Sequence, residues 1–198
     1  ELGHRVALAE TLTKSLARLG ETLEKKEELY KNTLPHVINN QKMTSIAGGG
    51  IWPEPYKFNS TKERNSFFWG RNKQGNLQFF NDYNDPQGSG YHHEEWYVPA
   101  RYLPKTKVYW SKSYMDPYSY EPMVTCTAPM YQNGEFSGVS TVDLKLKGLD
   151  DFFEEKAAST GGYIFALDRN NKLLSFPKSE LAKTTILQNG NKTEEYKT

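Results

Sequence analysis

The stretch that decides the fold is VTCTAPMYQNGEFSGVSTVDLKL, residues 124–146. Two apolar runs flank Asn-Gly at 133–134, the dipeptide that most strongly favours the tight turn of a β-hairpin. Successive side chains of a strand point to opposite faces of the sheet, so Thr141 and Asp143 share one face and Val142 lies on the other. A carboxylate among apolar neighbours needs a partner when it is buried. The stretch therefore predicts an antiparallel hairpin with Asp143 facing either water or a polar pocket.

The overall composition excludes some classes of function and leaves others open. The chain has 198 residues, with 25 lysines and arginines against 24 acidic residues, so it lacks the basic surface that general nucleic-acid binding requires. Aromatic residues make up 14% of it, including 13 tyrosines. Such side chains line pockets, and they equally fill the core of a β-rich fold.

Two further features bear on where the protein works. Cys126 is the only cysteine in the sequence, which excludes an internal disulfide and suits a small buried side chain in a strand. No run approaches the roughly 18 apolar residues of a membrane span, and no signal-peptide pattern opens the chain. Because residue 1 already lies in a helical pattern, we expect an excised fragment whose membrane anchors lie outside it.

The N-terminal segment has the pattern of a long amphipathic helix. Leucines recur at positions 8, 12, 16, 19 and 23, at intervals of three and four residues. We expect the helix to continue through the charged residues 24–32 and to break near Pro35. Its leucine stripe is predicted to pack on the chain's own sheet and to support a weak parallel homodimer.

The rest of the chain alternates between strands and irregular segments. Residues 44–59 contain three consecutive glycines and two prolines, which predict a shaped loop rather than a regular element. A hairpin around NKQG, a turn-rich crossover at 81–105 and three further strands up to 146 give five antiparallel strands. Residues 148–176 then repeat the order of helix and hairpin. This repeat predicts two α+β lobes in tandem, of which the second is incomplete.

Four segments together resemble the double Cache family: GGGIWPEP (48–55), HHEEWY (92–97), the stretch 109–144 and the stretch 161–177. The resemblance implies a PAS-like five-stranded antiparallel sheet behind a long N-terminal helix, followed by a smaller, here truncated, PAS-like lobe. We therefore expect a helical segment at 1–47, a membrane-distal lobe at 48–147 and an incomplete proximal lobe at 148–198.

The same resemblance implies a function. Double Cache domains are the extracytoplasmic, in bacteria periplasmic, ligand sensors of transmembrane histidine kinases, chemoreceptors and cyclic-dinucleotide enzymes. The expected partner is a small molecule, with no cofactor and no nucleic acid, and the membrane helices of the receptor would flank the segment described by this sequence. The sensor domain itself is expected to be non-catalytic.

The resemblance also implies candidate binding residues. The amino-acid-binding branch holds the ligand carboxylate with an arginine two positions before a Trp-Tyr pair, and holds its amine with an aspartate on the last distal strand. Trp96, Tyr97 and Asp143 match that pattern, but Glu94 stands in place of the arginine. A cationic amine therefore suits the site better than a plain amino acid, unless Arg71 or Arg101 reaches in.

The full set of predicted site residues combines carboxylates with aromatic walls and one hydroxyl. It comprises Glu94, Asp116, Asp143, Trp96, Tyr97, Trp110, Tyr114 and Thr141. Each has an ordinary structural alternative: Glu94 suits a solvated face, and Asp116 before Pro117 suits a turn. The pocket is expected between the sheet and the crossover 81–105, with nothing enclosed by the proximal hairpin.

Other chemistry finds little support in the sequence. His92, His93, Glu94 and Glu95 are consecutive, so on a helix they would diverge by about 100 degrees each and would not converge on a metal ion. No nucleophile elbow or phosphate-binding loop is present. The remaining alternative is a carbohydrate-binding or carbohydrate-processing domain that uses its aromatic rings as sugar platforms.

Overall fold

The computed structural model describes residues 2–39, 45–177, 179–188 and 191–196. These form two compact units. Unit 1 comprises residues 1–111 and 125–144, and unit 2 comprises residues 112–124 and 145–198. The helical segment 1–47 is thus part of unit 1, and residues 112–124, expected in the distal lobe, belong to unit 2. The mixture of helices with an antiparallel sheet confirms the predicted α+β class.

The N-terminal segment is two helices rather than the single one predicted. Helix α1 spans Leu2–Thr22 and helix α2 spans Glu27–Ile38. Between them Lys26 has an extended backbone, with φ −116° and ψ 118°, which stops helical hydrogen bonding. Pro35 lies inside α2, in its last turn, and the helix continues three residues beyond it. The predicted end near Pro35 agrees with the end of α2 at Ile38, but the prediction of one continuous helix is wrong, because residues 23–26 are not helical.

The sheet of unit 1 is antiparallel and is built around a strand that the sequence did not reveal. The strands in this part of the chain are β1 (Ile46–Pro53), β2 (Phe67–Arg71), β3 (Leu77–Phe80), β4 (Tyr109–Trp110), β5 (Tyr114–Met115), β6 (Pro122–Gln132) and β7 (Glu135–Lys145). The order in the sheet is β3-β2-β1-β7-β6-β4, and β5 pairs with β6. The predicted hairpin turns are confirmed, since Gly75 and Gly134 both have positive φ.

Strand β1 replaces the loop predicted from its three glycines. It is buried along its whole length and pairs with β2 on one side and β7 on the other. A Cβ added to Gly48 would lie 2.5 Å from the carbonyl oxygen of Trp69, and one added to Gly50 would lie 2.3 Å from that of Phe67. The glycines are therefore needed for close approach of neighbouring backbones, and tertiary packing overrides their usual preference for loops.

The two faces of this sheet have different coverings. Helices α1 and α2 lie on one face, where Ser140 donates to the carbonyl of Thr13 over 2.7 Å and Tyr30 stacks on Phe67. Residues 81–103 lie on the opposite face, as three short 3₁₀ turns at Asp82–Asn84, Tyr91–His93 and Val98–Tyr102. The crossover was thus predicted in its place, with 3₁₀ turns instead of a short α-helix.

The buried face of α1 is offset from the predicted leucine stripe. The residues that it buries recur at helical spacing: Ala9, Leu12, Thr13, Leu16, Ala17 and Gly20. Leu8 and Leu19 are only half-buried, at the border of this face. Small side chains let α1 approach the sheet closely, as shown by Gly20, where a Cβ would lie 2.4 Å from the sulfur of Met130.

Unit 2 contains more structure than predicted. Helix α3 (Leu149–Thr160) is capped by Gly161, whose positive φ suits that position. The short strands β8 (Ala166–Leu167) and β9 (Leu173–Ser175) follow. Helix α4 (Ser179–Ala182) leads into a further hairpin of β10 (Lys183–Gln188) and β11 (Asn191–Tyr196). The sequence predicted an incomplete lobe without this hairpin, whose strands are supported by the β-branched residues of 184–193.

One more strand belongs to unit 2. Strand β5 (Tyr114–Met115) pairs with the first residues of β6, Pro122 and Met123. Ser113, just before β5, donates its backbone N–H to the carboxylate of Asp168 over 3.2 Å. This bond and the pairing explain why residues 112–124 cluster with the second unit.

The orientation of α1 on the sheet can be tested with two leucines that differ in burial. Leu16 is fully buried, so Leu16→Ala is expected to lower the free energy of unfolding by about 2–5 kcal/mol. Leu19→Ala removes the same atoms from a half-buried site and is expected to cost about 1 kcal/mol. Urea denaturation of both variants measures the difference. Equal losses would contradict the described orientation of α1.

Candidate functional site

The candidate site lies on the sheet face opposite α1, here named the covered face and defined by Trp52, Thr125, Thr141 and Asp143. Asp143 is buried, with 5% of its surface exposed, and its Oδ1 accepts a hydrogen bond of 2.8 Å from Thr125 Oγ1. Thr141 Oγ1 accepts one of 2.8 Å from the indole Nε1 of Trp52. The covered face thus combines a buried carboxylate with two hydroxyls and an indole.

A third hydroxyl on this face has no partner among the described residues. Thr127 is fully buried, and its Oγ1 makes no hydrogen bond within the described parts of the chain. Strand alternation places Thr125 and Thr127 together, since Cys126 between them lies beside Thr13 of α1. An unpaired buried hydroxyl is costly, so its presence on the same face as Asp143 suits a site that a polar ligand completes.

Residues 91–103, here named the cover segment, lie over this face and are fastened to it through aromatic side chains. The Trp52 ring centroid is 4.8 Å from that of Trp96 and 5.4 Å from that of Tyr91. Tyr91 Oη donates to the carbonyl of Pro53 over 2.6 Å. Trp52 is therefore the centre of the contact between the sheet and the cover segment.

Glu54, directly after β1, is the second fastening point. Its carboxylate accepts a hydrogen bond of 2.7 Å from Tyr97 Oη and pairs with the guanidinium of Arg101 at 2.8 Å. Arg101 also lies over the rings of Tyr97 and Phe136, at 5.5 and 5.8 Å from their centroids. One carboxylate thus holds two side chains of the cover segment against the end of β1.

Burial keeps the tyrosines of the cover segment protonated. Desolvation, reinforced by the negative charge of Glu54, raises the pKa of Tyr97 far above its ordinary value, and burial likewise raises the pKa of Tyr91. Both phenols therefore act as neutral hydrogen-bond donors across the physiological pH range. Desolvation also raises the pKa of the half-buried Glu94.

The structure brings together one part of the predicted set of site residues. Thr141 and Asp143 belong to the covered face, Trp96 and Tyr97 belong to the cover segment, and Tyr97 is fully buried. Glu94 lies in the same segment and is half-buried instead of solvated.

Trp110 lies on the opposite face of the sheet from Asp143. It pairs in register with Cys126, and its Nε1 donates to the carboxylate of Glu10 on α1 over 3.2 Å. The sequence analysis predicted Trp110 as a wall of the pocket beside Asp143, and this position on the opposite face contradicts it. Because β4 is only two residues long, the sequence offered no alternation from which to assign the face.

Tyr114 and Asp116 belong to unit 2. Asp116 accepts hydrogen bonds from the backbone N–H and hydroxyl of Ser119, at 2.7 and 2.6 Å, so it shapes a turn, as its structural alternative anticipated. Burial raises its pKa despite these bonds. Tyr114 lines a cavity of about 290 Å³ together with Met115, Leu146, Lys172, Leu173 and Tyr196.

That cavity differs from what the sequence predicted, since unit 2 was expected to enclose nothing. The hairpin of β10 and β11, absent from the prediction, supplies part of its wall. In unit 1 a cavity of about 480 Å³ lies between α2, residues 61–67 and residues 79–86. Over the covered face itself, Trp52 packs into the space beside Thr141.

Neither arginine that could have replaced the missing carboxylate clamp faces Asp143. Arg101 is held by Glu54. Arg71 donates from Nε to the carbonyl of Ile46 over 3.1 Å and from its terminal nitrogens to Gly75 and Asn39. Both guanidinium groups therefore make contacts within the protein that stabilise the fold.

Other chemistry is limited within the described residues. Burial raises the pKa of the Cys126 thiol to about 12, so it stays protonated. Across residues 2–39, 45–177, 179–188 and 191–196, no three His, Cys, Asp or Glu side chains are grouped to hold a metal ion. In the same ranges, no helix has both the length and the apolar character needed to cross a membrane.

Several residues of the site were not predicted from the sequence. Thr125 and Thr127 lie on β6 in a run whose only unusual feature is its alternating threonines. Trp52 and Glu54 were assigned to a shaping loop because β1 was not predicted. Alternation along 124–128 was the available signal for the threonines, and none existed for Glu54.

The chain matches a family model over residues 30–151, more than half of its length. The model describes the first PDC sensor domain of methyl-accepting chemotaxis protein-like receptors. The chain belongs to this family. The match confirms the prediction of a Cache-type sensor domain. No curated protein matches the chain.

Solved structures of sensor domains share the fold of this PDC domain. An extracellular domain assigned to the histidine kinase mmHK1S-Z2 is 20% identical with a TM-score of 0.69, over 91% of this chain and 67% of that one. Methyl-accepting chemotaxis protein X is 20% identical with a TM-score of 0.66, over 90% and 68%. The Campylobacter jejuni chemoreceptor Tlp3 with isoleucine bound is 16% identical with a TM-score of 0.56, over 87% and 63%. The chain thus spans about two thirds or less of each neighbour.

The fastening of the cover segment can be tested through Tyr97. Tyr97→Phe removes its hydrogen bond to a carboxylate and is expected to lower the free energy of unfolding by about 1.5–3 kcal/mol, the range for bonds to charged groups. Tyr102→Phe, in the same segment but 82% exposed, serves as the control and should change it by less than about 0.5 kcal/mol. Urea denaturation measures both. Indistinguishable variants would refute the role given to Glu54.

Proposed function

We propose that this PDC domain is the extracytoplasmic sensing unit of a transmembrane signal transducer, and that unit 1 binds a small cationic amine on the covered face. The domain itself would be non-catalytic, with kinase, chemotactic or cyclase output carried by other parts of the receptor. The single observation that carries the ligand class is the buried carboxylate of Asp143, set among hydroxyls beneath an aromatic cover segment.

The chemistry of the covered face favours a cation over a zwitterion. A desolvated carboxylate attracts an ammonium group strongly, and the half-buried ring of Trp96 is an aromatic surface to which cations are drawn. A plain amino acid would also need a cation for its carboxylate. The guanidinium groups of Arg71 and Arg101 are engaged elsewhere, and Glu94 occupies the position that the amino-acid-binding branch gives to arginine.

The neighbours support small-ligand sensing in general. Tlp3 is described in complexes with isoleucine and with L-valine. An amino-acid-like ligand is therefore the second candidate, and it would require Arg101 to leave Glu54. The comparisons give no support to the carbohydrate alternative.

A ligand screen tests the proposal directly. The purified domain is heated with ethanolamine, putrescine or tyramine, with L-valine and L-isoleucine as the amino-acid set and maltose as a sugar. A ligand at about 100 times its dissociation constant adds about 2.7 kcal/mol to stability, so binding raises the melting temperature measurably. Shifts with amines support the proposal. Shifts confined to the amino acids or to maltose would overturn the ligand class.

The role of Asp143 is then measured by calorimetry with the amine that binds. Asp143→Asn keeps the shape and the bond from Thr125 but removes the charge, so affinity should fall about tenfold or more, the equivalent of losing a charged hydrogen bond. Asp116→Asn, in the turn of unit 2, is the matched control and should bind normally. Unchanged affinity in Asp143→Asn, or a loss in Asp116→Asn instead, would rule out this site.

A further inference from the structure

His92 is the second residue of the cover segment and is almost completely buried. Only 8% of its surface is exposed. Its Nδ1 is buried and makes no hydrogen bond within the described residues, and its Nε2 lies 3.9 Å from Glu63 Oε1, beyond hydrogen-bond reach. A neutral imidazole can leave one acceptor nitrogen unpaired at modest cost, whereas a protonated ring would bury a donor without an acceptor.

The charges around this ring come from three elements. Arg64 packs against it over Gly90, where an added Cβ would lie 2.7 Å from His92 Cε1 and 3.0 Å from Arg64 Cζ. His93, exposed on the cover segment, has its ring centroid 4.1 Å away. On the acidic side Glu63 is nearest, and Glu54 acts from farther away.

These surroundings favour the neutral ring on balance. Burial is the main cause that lowers the pKa of His92, and the charge of His93 lowers it further. Glu63 opposes both, Arg64 adds to the lowering, and Glu54 opposes it weakly. The lowered pKa of His92 agrees with the geometry, since a protonated His92 would be a second buried cation beside Arg64.

The side chains beside the ring hold the turn that leads into the cover segment. Arg64 Nη1 donates to the carbonyls of Asp85 and Gly88, at 2.6 and 2.9 Å, and so holds that turn in place. The residue after Gly90, Tyr91, is bonded to the end of β1. Displacement of the His92 ring would therefore disturb the contacts that hold the start of the cover segment on the sheet.

We propose that His92 is a pH-responsive contact: neutral, it holds the cover segment on the sheet, and protonated, it releases that segment, so that the domain senses acidity. This role is independent of which ligand binds at Asp143. The pKa of His92 is lower in the folded than in the unfolded chain, so its contribution to stability is fully present above the ordinary histidine value. That contribution is lost as the pH falls through the folded value.

Hydrogen exchange of the backbone amides of residues 91–103 tests the proposal without any ligand. The protection of the wild-type cover segment, corrected for intrinsic exchange, should fall about threefold or more between about pH 7.5 and about pH 5.5. His92→Gln cannot be protonated, so its protection should be similar at both pH values. His36→Gln, at an exposed position of α2, should behave like the wild type.

A second variant keeps the test decisive if His92→Gln folds poorly. Glu63→Gln removes the nearest charge that favours the protonated ring, so it should enlarge the loss of protection at low pH. Equal acid sensitivity in the wild type and His92→Gln, or a smaller loss in Glu63→Gln, would overturn the proposal. Because no ligand is used, these outcomes are separate from any failure of amine binding.

Discussion

The close approach of three backbones at β1 is the constraint on which the rest of unit 1 depends. Without side chains at Gly48 and Gly50, this strand fits between β2 and β7 and completes a continuous sheet. The same strand presents Trp52 to the covered face, and Glu54 follows directly after it. The centre of the sheet and both fastening points of the cover segment therefore come from nine consecutive residues, 46–54. A side chain at either glycine would displace all three features together.

The elements of this fold that the sequence predicted are those whose stabilising interactions join residues close together in the chain. The hairpin of β6 and β7 was predictable because alternation and an Asn-Gly turn act within a few residues. Strand β1 was not, because its glycines favour a strand only when two neighbouring strands already stand beside them. The break between α1 and α2 falls in a charged run that suits a helix locally, so contacts of α2 with the sheet must decide it.

The candidate site shows the same division. Alternation along β7 correctly turned Asp143 away from Val142, and Trp96 lies over the covered face in the segment that the sequence placed there. The two-residue strand β4 gave no periodicity, which explains why Trp110 was expected on the wrong face. The partners of the site, Thr125 and Glu54, depend on strand register and on a strand that was missed. The presence of a carboxylate in the site was predictable from the residue types. The positions of its partners were not, because they depend on how the strands pair in the sheet.

The buried Cys126 has a practical consequence for work with the purified protein. Its thiol is enclosed between the sheet and α1 and stays protonated, so in the folded domain neither an oxidant nor a second thiol can reach a reactive thiolate. Exposure of the sulfur requires separation of the helix from the sheet. Disulfide-linked dimers on a non-reducing gel would therefore report the fraction of molecules that have unfolded. The formation of this disulfide over time would measure how fast a stored preparation unfolds.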